Sequence, residues 1–193
     1  MKIGGIQKSS FVDYPGVIAA VIFTVGCNMN CFYCHNKRLI KAFPDDELMS
    51  EEEAFDFLSK RVGLLDGVVI SGGEPTLQKD LAEFIGKVKA MGFKVKLDTN
   101  GYYPEGISQI IGLLDFIAMD IKAPFDRYEE FSGVPDATER VKRSMGIIVD
   151  SGVNYQFRTT VAPGLGDSDI DMIRKYAPDP AKYVTQPYRE PSE

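Results

Sequence analysis

The sequence predicts an α/β fold built on a parallel β-sheet, and three observations support this fold class. Runs of β-branched and apolar residues alternate along the chain with segments in which apolar residues recur at helical spacing. These strand–helix units repeat at intervals of about thirty residues, the length that a crossover between parallel strands requires. The chain has 193 residues, which suits one domain spanning 1–193 that buries a core without disulfides or a structural metal.

Strands are predicted wherever the apolar runs are continuous. The first, 17–24, is rich in β-branched residues and is typical of a strand that is buried on both faces. Six strands are too few for the eight-stranded closed barrel, so an open partial barrel of six βα units or a doubly wound sheet remains. The predicted strands are 17–24, 66–71, 93–98, 115–120, 153–161 and 183–186.

Helices are predicted between these strands. Ser50 and Glu53 form a capping-box pattern that begins the first of them, Gly92 ends the second, and Pro104 suits the first turn of the third. A last helix is predicted over 168–177. The apolar stripes of the first four helices are Ala54, Phe55, Leu58 and Val62; Leu81, Phe84, Ile85 and Val88; Ile107, Ile110, Ile111 and Leu114; and Val141, Met145, Ile148 and Val149.

The composition excludes several classes of protein. Apolar residues make up 44% of the chain and charged residues 26%, which excludes a disordered or low-complexity chain. The 22 Lys and Arg against 28 Asp and Glu give a net charge of −6, which argues against nucleic acid as a partner. No apolar run approaches the ~18 residues of a membrane span, and 1–5 lacks the apolar stretch of a signal peptide. We therefore expect a cytoplasmic protein with no membrane partner.

Polar residues and glycines follow the predicted strands at their carboxyl ends. These ends meet at one edge of a parallel sheet, where α/β proteins bind their ligands. Generic turn residues would satisfy a purely structural strand end, so the pattern predicts one shared site. The segments concerned are 26–36, 71–76, 98–101, 120–122 and 158–164.

The three cysteines of the chain lie within one of these segments. Cys27, Cys31 and Cys34 are spaced C-x3-C-x2-C, which suits an iron–sulfur cluster with one thiolate on each of three irons. The fourth iron then stays open to a molecule that is not protein. The alternative is a structural zinc ion held by the three cysteines and His35, although adjacent ligands are awkward for a tetrahedral site. His35, the only histidine, otherwise packs or hydrogen-bonds locally.

The cysteine spacing, together with Gly72-Gly73-Glu74-Pro75, resembles the radical S-adenosylmethionine superfamily. The segments 4–16 and 33–36 resemble more narrowly the activating proteins of anaerobic ribonucleoside-triphosphate reductase. Asp98-Thr99-Asn100-Gly101 and Asp120-Ile121-Lys122 are similar to the wider group of glycyl-radical-enzyme activases, and the resemblance runs from about residue 3 to about residue 165. It implies a partial (βα)6 radical-SAM barrel that is parallel and laterally open.

The resemblance implies a 4Fe–4S cluster on the three cysteines and S-adenosylmethionine on its fourth iron. The backbone carbonyls of 72–74 would receive the ammonium group of this cosubstrate, and Lys122 and Arg158 would face its carboxylate. Tyr33 would lie against the adenine, and Thr160 would line the adenosine side. The implied cosubstrate-binding residues are Tyr33, Gly72, Gly73, Glu74, Asp98, Thr99, Asp120, Lys122, Arg158 and Thr160.

Some of these residues have plainer alternatives. Asp98, Thr99 and Asp120 match positions that bind a monovalent cation in related activases, but both aspartates could instead cap the elements that follow them. Lys122 and Arg158 could be solvated surface charges. These alternatives stay open at the level of the sequence.

The implied activity is reductive cleavage of S-adenosylmethionine, after which a 5′-deoxyadenosyl radical abstracts the α-hydrogen of a glycine on a partner enzyme. The implied partner is anaerobic ribonucleotide reductase, with a low-potential electron donor such as flavodoxin or ferredoxin. The alternatives are an activase of another glycyl radical enzyme of the formate-lyase type, a radical enzyme acting on a small molecule, and a zinc- or cluster-bearing module without catalysis. Three cysteines leave none for an auxiliary cluster.

The C-terminal part departs from the pattern of related activases. Formate-lyase activases carry a histidine near the nucleoside at the end of the barrel, whereas 186–189 here reads Gln-Pro-Tyr-Arg. The chain ends at Glu193 soon after the sixth predicted strand, which implies a barrel that is open at that edge or a shortened chain. Asp13, ahead of the first predicted strand, is expected to border the opening through which a partner's glycine reaches the site.

Overall fold

Seven strands form one sheet in sequence order in the computed structural model, which describes residues 1–40 and 44–190. The six strands β2 to β7 run parallel to one another, as predicted. Pairing between β1 and β7 is absent from the described residues, so the sheet is open. The strands are β1 (Ile3–Ser10), β2 (Ala19–Thr24), β3 (Gly67–Gly72), β4 (Lys94–Thr99), β5 (Phe116–Asp120), β6 (Asn154–Val161) and β7 (Tyr183–Pro187).

The first strand corrects the prediction of six strands and of a wholly parallel sheet. β1 pairs antiparallel with β2 and forms one edge of the sheet. Its sequence, IGGIQKSS, contains two glycines and little apolar alternation, which is why its composition does not indicate a strand. Pairing with the buried strand β2 fixes this segment instead.

Seven helices connect the strands within the described residues. The capping box is confirmed, because the Glu53 amide donates to Ser50 Oγ at 3.1 Å and the Ser50 amide donates to the Glu53 carboxylate at 2.9 Å. The first predicted helix is shorter than expected, so Val62 lies beyond its end and is 54% exposed. The helices are α1 (Lys37–Ile40), α2 (Glu51–Ser59), α3 (Leu81–Ala90), α4 (Pro104–Ile110), α5 (Tyr128–Ser132), α6 (Ala137–Asp150) and α7 (Asp167–Arg174).

Alternate strand residues separate two apolar clusters. The larger one joins strand residues such as Ile70 and Leu97 to the buried faces of the helices. The smaller one lies on the other face of the sheet and contains Tyr14, Val21 and Val69. Side chains alternate along a strand, so the face of the sheet that carries the smaller cluster also carries the charged residues at the carboxyl ends of the strands. No helix among the described residues is long and apolar enough to cross a membrane.

Candidate active site

A cavity of about 370 Å³ lies at the carboxyl ends of the parallel strands, within the range of roughly 300–1,000 Å³ that is usual for small-molecule sites. All three cysteines line it, and so do nine of the ten residues that the sequence assigns to the cosubstrate. Asp13 also lines it, so the segment between β1 and β2 reaches the site. The lining residues to which the sequence assigns neither the cluster, nor the cosubstrate, nor the opening are Phe23, Met29, His35, Asn36, Ile40, Ser71, Asn100 and Gln186.

The cysteine segment is held in place by its backbone. The Asn30 amide donates to the Ser132 carbonyl at 3.0 Å, which ties the segment to the end of α5. The Met29 amide donates to Cys27 Sγ at 3.4 Å, and Asn100 Nδ2 lies 3.7 Å from the same sulfur. These contacts fix the direction in which the first thiol faces the cavity.

The thiols are not arranged around a single ion. Among residues 1–40 and 44–190, no three His, Cys, Asp or Glu side chains converge closely enough to hold one metal ion. The ring of His35 instead packs against that of Tyr188, with 5.8 Å between the centroids. This arrangement does not support the zinc alternative, whereas a cluster requires each thiolate to reach a different iron.

Burial of Cys27 and Cys31 disfavours their free thiolates. It raises the pKa of Cys27 to about 11 and also raises the pKa of Cys31, while the nearby Lys122 ammonium acts in the opposite direction on both. Thiolates are the form that binds iron. The positive charge of Lys122 therefore favours the ligating form of both thiols.

Two glycines bring the end of β3 against the start of the cysteine segment. Gly72 has a φ of +113°, and a Cβ at this position would overlap the backbone of Thr24. A Cβ at Gly73 would overlap the carbonyl of Gly26. The close approach is fixed by hydrogen bonds from the Gly73 amide to the Thr24 carbonyl (2.9 Å) and from the Glu74 amide to the Gly26 carbonyl (2.7 Å). Side chains other than hydrogen are therefore excluded here.

The carboxylate of Glu74 lies behind the cavity wall. Glu74 is fully buried and is the one predicted cosubstrate residue that does not line the cavity. It accepts hydrogen bonds from the Thr99 hydroxyl (2.8 Å) and the Asn100 amide (2.7 Å), and from the amide (3.1 Å) and hydroxyl (2.6 Å) of Thr76. Burial raises its pKa, and these donors oppose the rise. Its side chain thus joins the ends of β3 and β4.

An ionic network lies at the carboxyl ends of β4, β5 and β6 and contributes Asp98, Asp120, Lys122 and Arg158 to the cavity wall. Arg158 Nε lies 2.9 Å from Asp120 Oδ1, and Arg158 Nη1 lies 3.3 Å from Asp98 Oδ2. Lys122 Nζ lies 3.0 Å from Asp120 Oδ2, and Lys96 is paired with Asp98 Oδ1. Three cations thus meet two carboxylates, so the wall has an excess of positive charge that suits an anionic group in the cavity.

The residues present fit a cluster and an amino-acid cosubstrate. Two buried polar atoms of the cysteine segment, Asn28 Nδ2 and Tyr33 Oη, have no hydrogen-bond partner in the described part of the chain. Buried polar atoms are almost always hydrogen-bonded in native proteins, and Tyr33 lines the cavity, so its hydroxyl suits contact with a polar ligand. The cavity thus offers three thiols, a glycine cradle and a cationic wall to one ligand.

The network makes a testable prediction about pH. Burial alone would raise the pKa of Asp120, but Arg158 and Lys122 hold it at about 2, below its ordinary value. The carboxylate therefore stabilises the folded state above the unfolded pKa, and this contribution is lost as the pH falls towards 2. We expect the difference in unfolding free energy between the wild type and Asp120→Asn to shrink between about pH 5 and pH 2 in urea titrations. A constant difference across this window would contradict the assignment.

Comparisons with known proteins agree with this site. The model of the radical SAM superfamily matches residues 21–177. A protein of Methanocaldococcus jannaschii named as a glycyl-radical enzyme activating enzyme is 41% identical over 99% of this chain and 81% of its own length. The pyruvate formate-lyase-activating enzyme of Clostridium pasteurianum is 32% identical over 91% of this chain and 74% of its own length.

A solved structure is similar at the level of the fold. The crystal structure of Streptococcus suis SuiB is 15% identical and covers 88% of this chain and 39% of its own, with a TM-score of 0.69. The partial barrel predicted from the sequence is thus confirmed as a radical SAM fold, with one antiparallel strand added. The chain belongs to the radical SAM superfamily and, within it, to the glycyl-radical-enzyme activases.

Proposed function

We propose that the protein generates the glycyl radical of anaerobic ribonucleoside-triphosphate reductase, using a 4Fe–4S cluster and S-adenosylmethionine. The observation that carries the proposal is the meeting of Cys27, Cys31 and Cys34 with the glycine cradle and the Lys122–Arg158 wall in one cavity. The choice of partner rests on segments 4–16 and 33–36, which resemble the activating proteins of that reductase.

The chain's own residues bind and orient the cosubstrate. Cys27, Cys31 and Cys34 hold the cluster, which supplies one electron for the reductive cleavage of the sulfonium when it is bound. Lys122 and Arg158 pair with the cosubstrate carboxylate through charge-assisted hydrogen bonds. The backbone carbonyls next to the cavity receive its ammonium group, where Gly72 and Gly73 allow close approach.

The protein also supplies the surroundings of the radical. Tyr33 is 4% exposed, and its ring contacts those of Phe32 and Phe131, with centroids 5.1 and 6.2 Å away. This aromatic packing gives the adenosine an apolar wall and limits access of water to one side of the cavity. Asp13 lines the cavity on the segment between β1 and β2, and we place the entry of the partner's glycine there.

A formate-lyase type of enzyme is the second candidate partner. The observation that favours it is the 32% identity to the activating enzyme of Clostridium pasteurianum, whose name specifies pyruvate formate-lyase. A related enzyme of Escherichia coli with the same target is 29% identical over 90% of this chain. Both partners offer a glycine on a protein, so the chemistry inside the cavity is the same for either.

A low-potential flavodoxin or ferredoxin in a reducing cytoplasm would supply the electron.

The choice between the partners is tested by electron paramagnetic resonance under anoxic conditions. The reconstituted protein is mixed with a chemical reductant, S-adenosylmethionine and either anaerobic ribonucleotide reductase or pyruvate formate-lyase. We expect the glycyl radical doublet on the reductase, and none when its target glycine is replaced by alanine. A doublet on the lyase alone would contradict the proposed partner.

A further inference from the structure

Lys96 is a buried lysine that lies below the floor of the cavity. It is 2% exposed and belongs to the middle of β4, two residues before Asp98 on the same face of the strand. Lysine is almost never fully buried unless it is paired. Its ammonium group pairs with Asp98 Oδ1, whose other oxygen faces the cavity side of the network.

The carboxylate oxygens of the network are all paired with protein cations. Asp98 Oδ1 pairs with Lys96 and Oδ2 with Arg158, while Asp120 Oδ1 pairs with Arg158 and Oδ2 with Lys122. Each of the four oxygens therefore has a cationic partner. A further cation among them would add to an existing excess of positive charge.

The hydroxyl of Thr99 is also engaged. It donates to Glu74 Oε1 at 2.8 Å and accepts from the Gly101 amide at 3.1 Å. Thr99, Asp98 and Asp120 are the three residues that match the monovalent-cation positions of related activases. The side chains needed for such an ion are thus committed to contacts within the protein.

We propose that the ammonium group of Lys96 supplies the positive charge that a monovalent cation would otherwise supply, so that the cosubstrate site works without a bound Na⁺ or K⁺. Lys96 acts through Asp98 and Arg158, and it is therefore a positioning residue. By neutralising Asp98 from below, it leaves the charge of Arg158 available to the cosubstrate carboxylate. The inference rests on the cosubstrate site and not on the identity of the partner enzyme.

The chain offers a matched control for a test of this role. Lys94 lies two residues before Lys96, on the same face of β4, but it is exposed. The variants are Lys96→Met, Lys94→Met and the double variant Lys96→Met/Asp98→Asn, which removes both charges. Each is prepared with its cluster and compared in potassium chloride and choline chloride at equal ionic strength.

Two readouts are measured, the midpoint of thermal unfolding and the dissociation constant for S-adenosylmethionine. Wild type and Lys94→Met should give the same values in both salts. Lys96→Met should unfold at a lower temperature than the wild type, and its midpoint should be higher in potassium than in choline. It should also bind S-adenosylmethionine roughly 5- to 150-fold more tightly in potassium than in choline. The double variant should lose this potassium dependence, which a purely structural role for Lys96 would not produce.

Two outcomes would overturn the proposal. One is a wild type whose midpoint and affinity rise in potassium relative to choline. The other is a folded Lys96→Met variant that is indifferent to potassium. If Lys96→Met does not fold, the comparison of the wild type in potassium and choline still tests the proposal. Lys96→Arg restores the positive charge, so its unfolding midpoint and its affinity for S-adenosylmethionine must also be the same in both salts. None of these measurements requires a glycyl radical enzyme, so failure here is distinct from failure of the proposed function.

Discussion

Replacing Cys31 with serine is expected to abolish cluster binding and, with it, cleavage of S-adenosylmethionine. Cys31 is buried at 7% exposure and lines the cavity between the other two cysteines. A serine hydroxyl is a poor iron ligand. Substituting a residue that only orients a metal ligand already lowers metal affinity or activity by about 10- to 100-fold, so replacing the ligand itself should cost more. We expect a loss of 100-fold or more in 5′-deoxyadenosine formation. Iron and sulfide content and product chromatography provide the measurement.

The control for this substitution is Asn30→Ala in the same segment. Asn30 is exposed, and its contact with the Ser132 carbonyl is made by its backbone amide, which alanine retains. Iron content and product formation should stay at the wild-type level. A Cys31→Ser protein that keeps a full complement of iron and cleaves the cosubstrate would show that the cysteines do not hold the cluster.

Replacing Arg158 with methionine is expected to destabilise the protein and weaken cosubstrate binding together. Arg158 is 12% exposed and bridges Asp98 and Asp120. Breaking a buried ion pair costs about 3–5 kcal/mol, and we expect the lower end because each carboxylate keeps one lysine partner. Loss of a charged hydrogen bond should weaken S-adenosylmethionine binding roughly 10- to 100-fold. Urea unfolding and calorimetric titration measure the two effects.

The control is Arg143→Met, which breaks an ion pair on the surface. Arg143 Nη1 lies 2.6 Å from Glu105 Oε1, but the two side chains are 64% and 43% exposed. Exposed pairs contribute about 0–1 kcal/mol, so this variant should unfold close to the wild type and bind the cosubstrate equally well. Equal effects of the two substitutions would contradict a buried network at the site.

The parallel part of the fold is predictable from the sequence because its signals are local. Each of β2 to β7 overlaps a predicted strand, and the capping box of Ser50 and Glu53 begins α2 as expected. β1 is held by pairing with β2, the next strand along the chain, and its glycine-containing sequence does not by itself indicate a strand. The five-residue helix Tyr128–Ser132 is too short to show a period. Val62 is predicted within the first helix because it continues the apolar spacing from Leu58, although α2 ends at Ser59.

The lining of the site is predictable to the extent that strand ends converge. The sequence places Asp98, Asp120 and Arg158 at three neighbouring strand ends, and the register of β5 and β6 pairs Asp120 with Arg158. It does not place Glu74 behind the wall, because burial of one side chain depends on the packing of two loops. The sequence does not single out Lys96, because lysine usually indicates a solvated face, although its period-two spacing from Asp98 places both side chains on one face of β4.

The hydrogen that leaves the partner's glycine tests the central claim most directly. A glycyl radical enzyme carrying deuterium at the α-carbon of its target glycine is activated under anoxic conditions with the reconstituted protein, reductant and S-adenosylmethionine. The 5′-deoxyadenosine is then analysed by mass spectrometry. Direct abstraction predicts one deuterium in the nucleoside for each glycyl radical formed. Product that contains only solvent hydrogen, or a radical that forms without 5′-deoxyadenosine, would contradict this account.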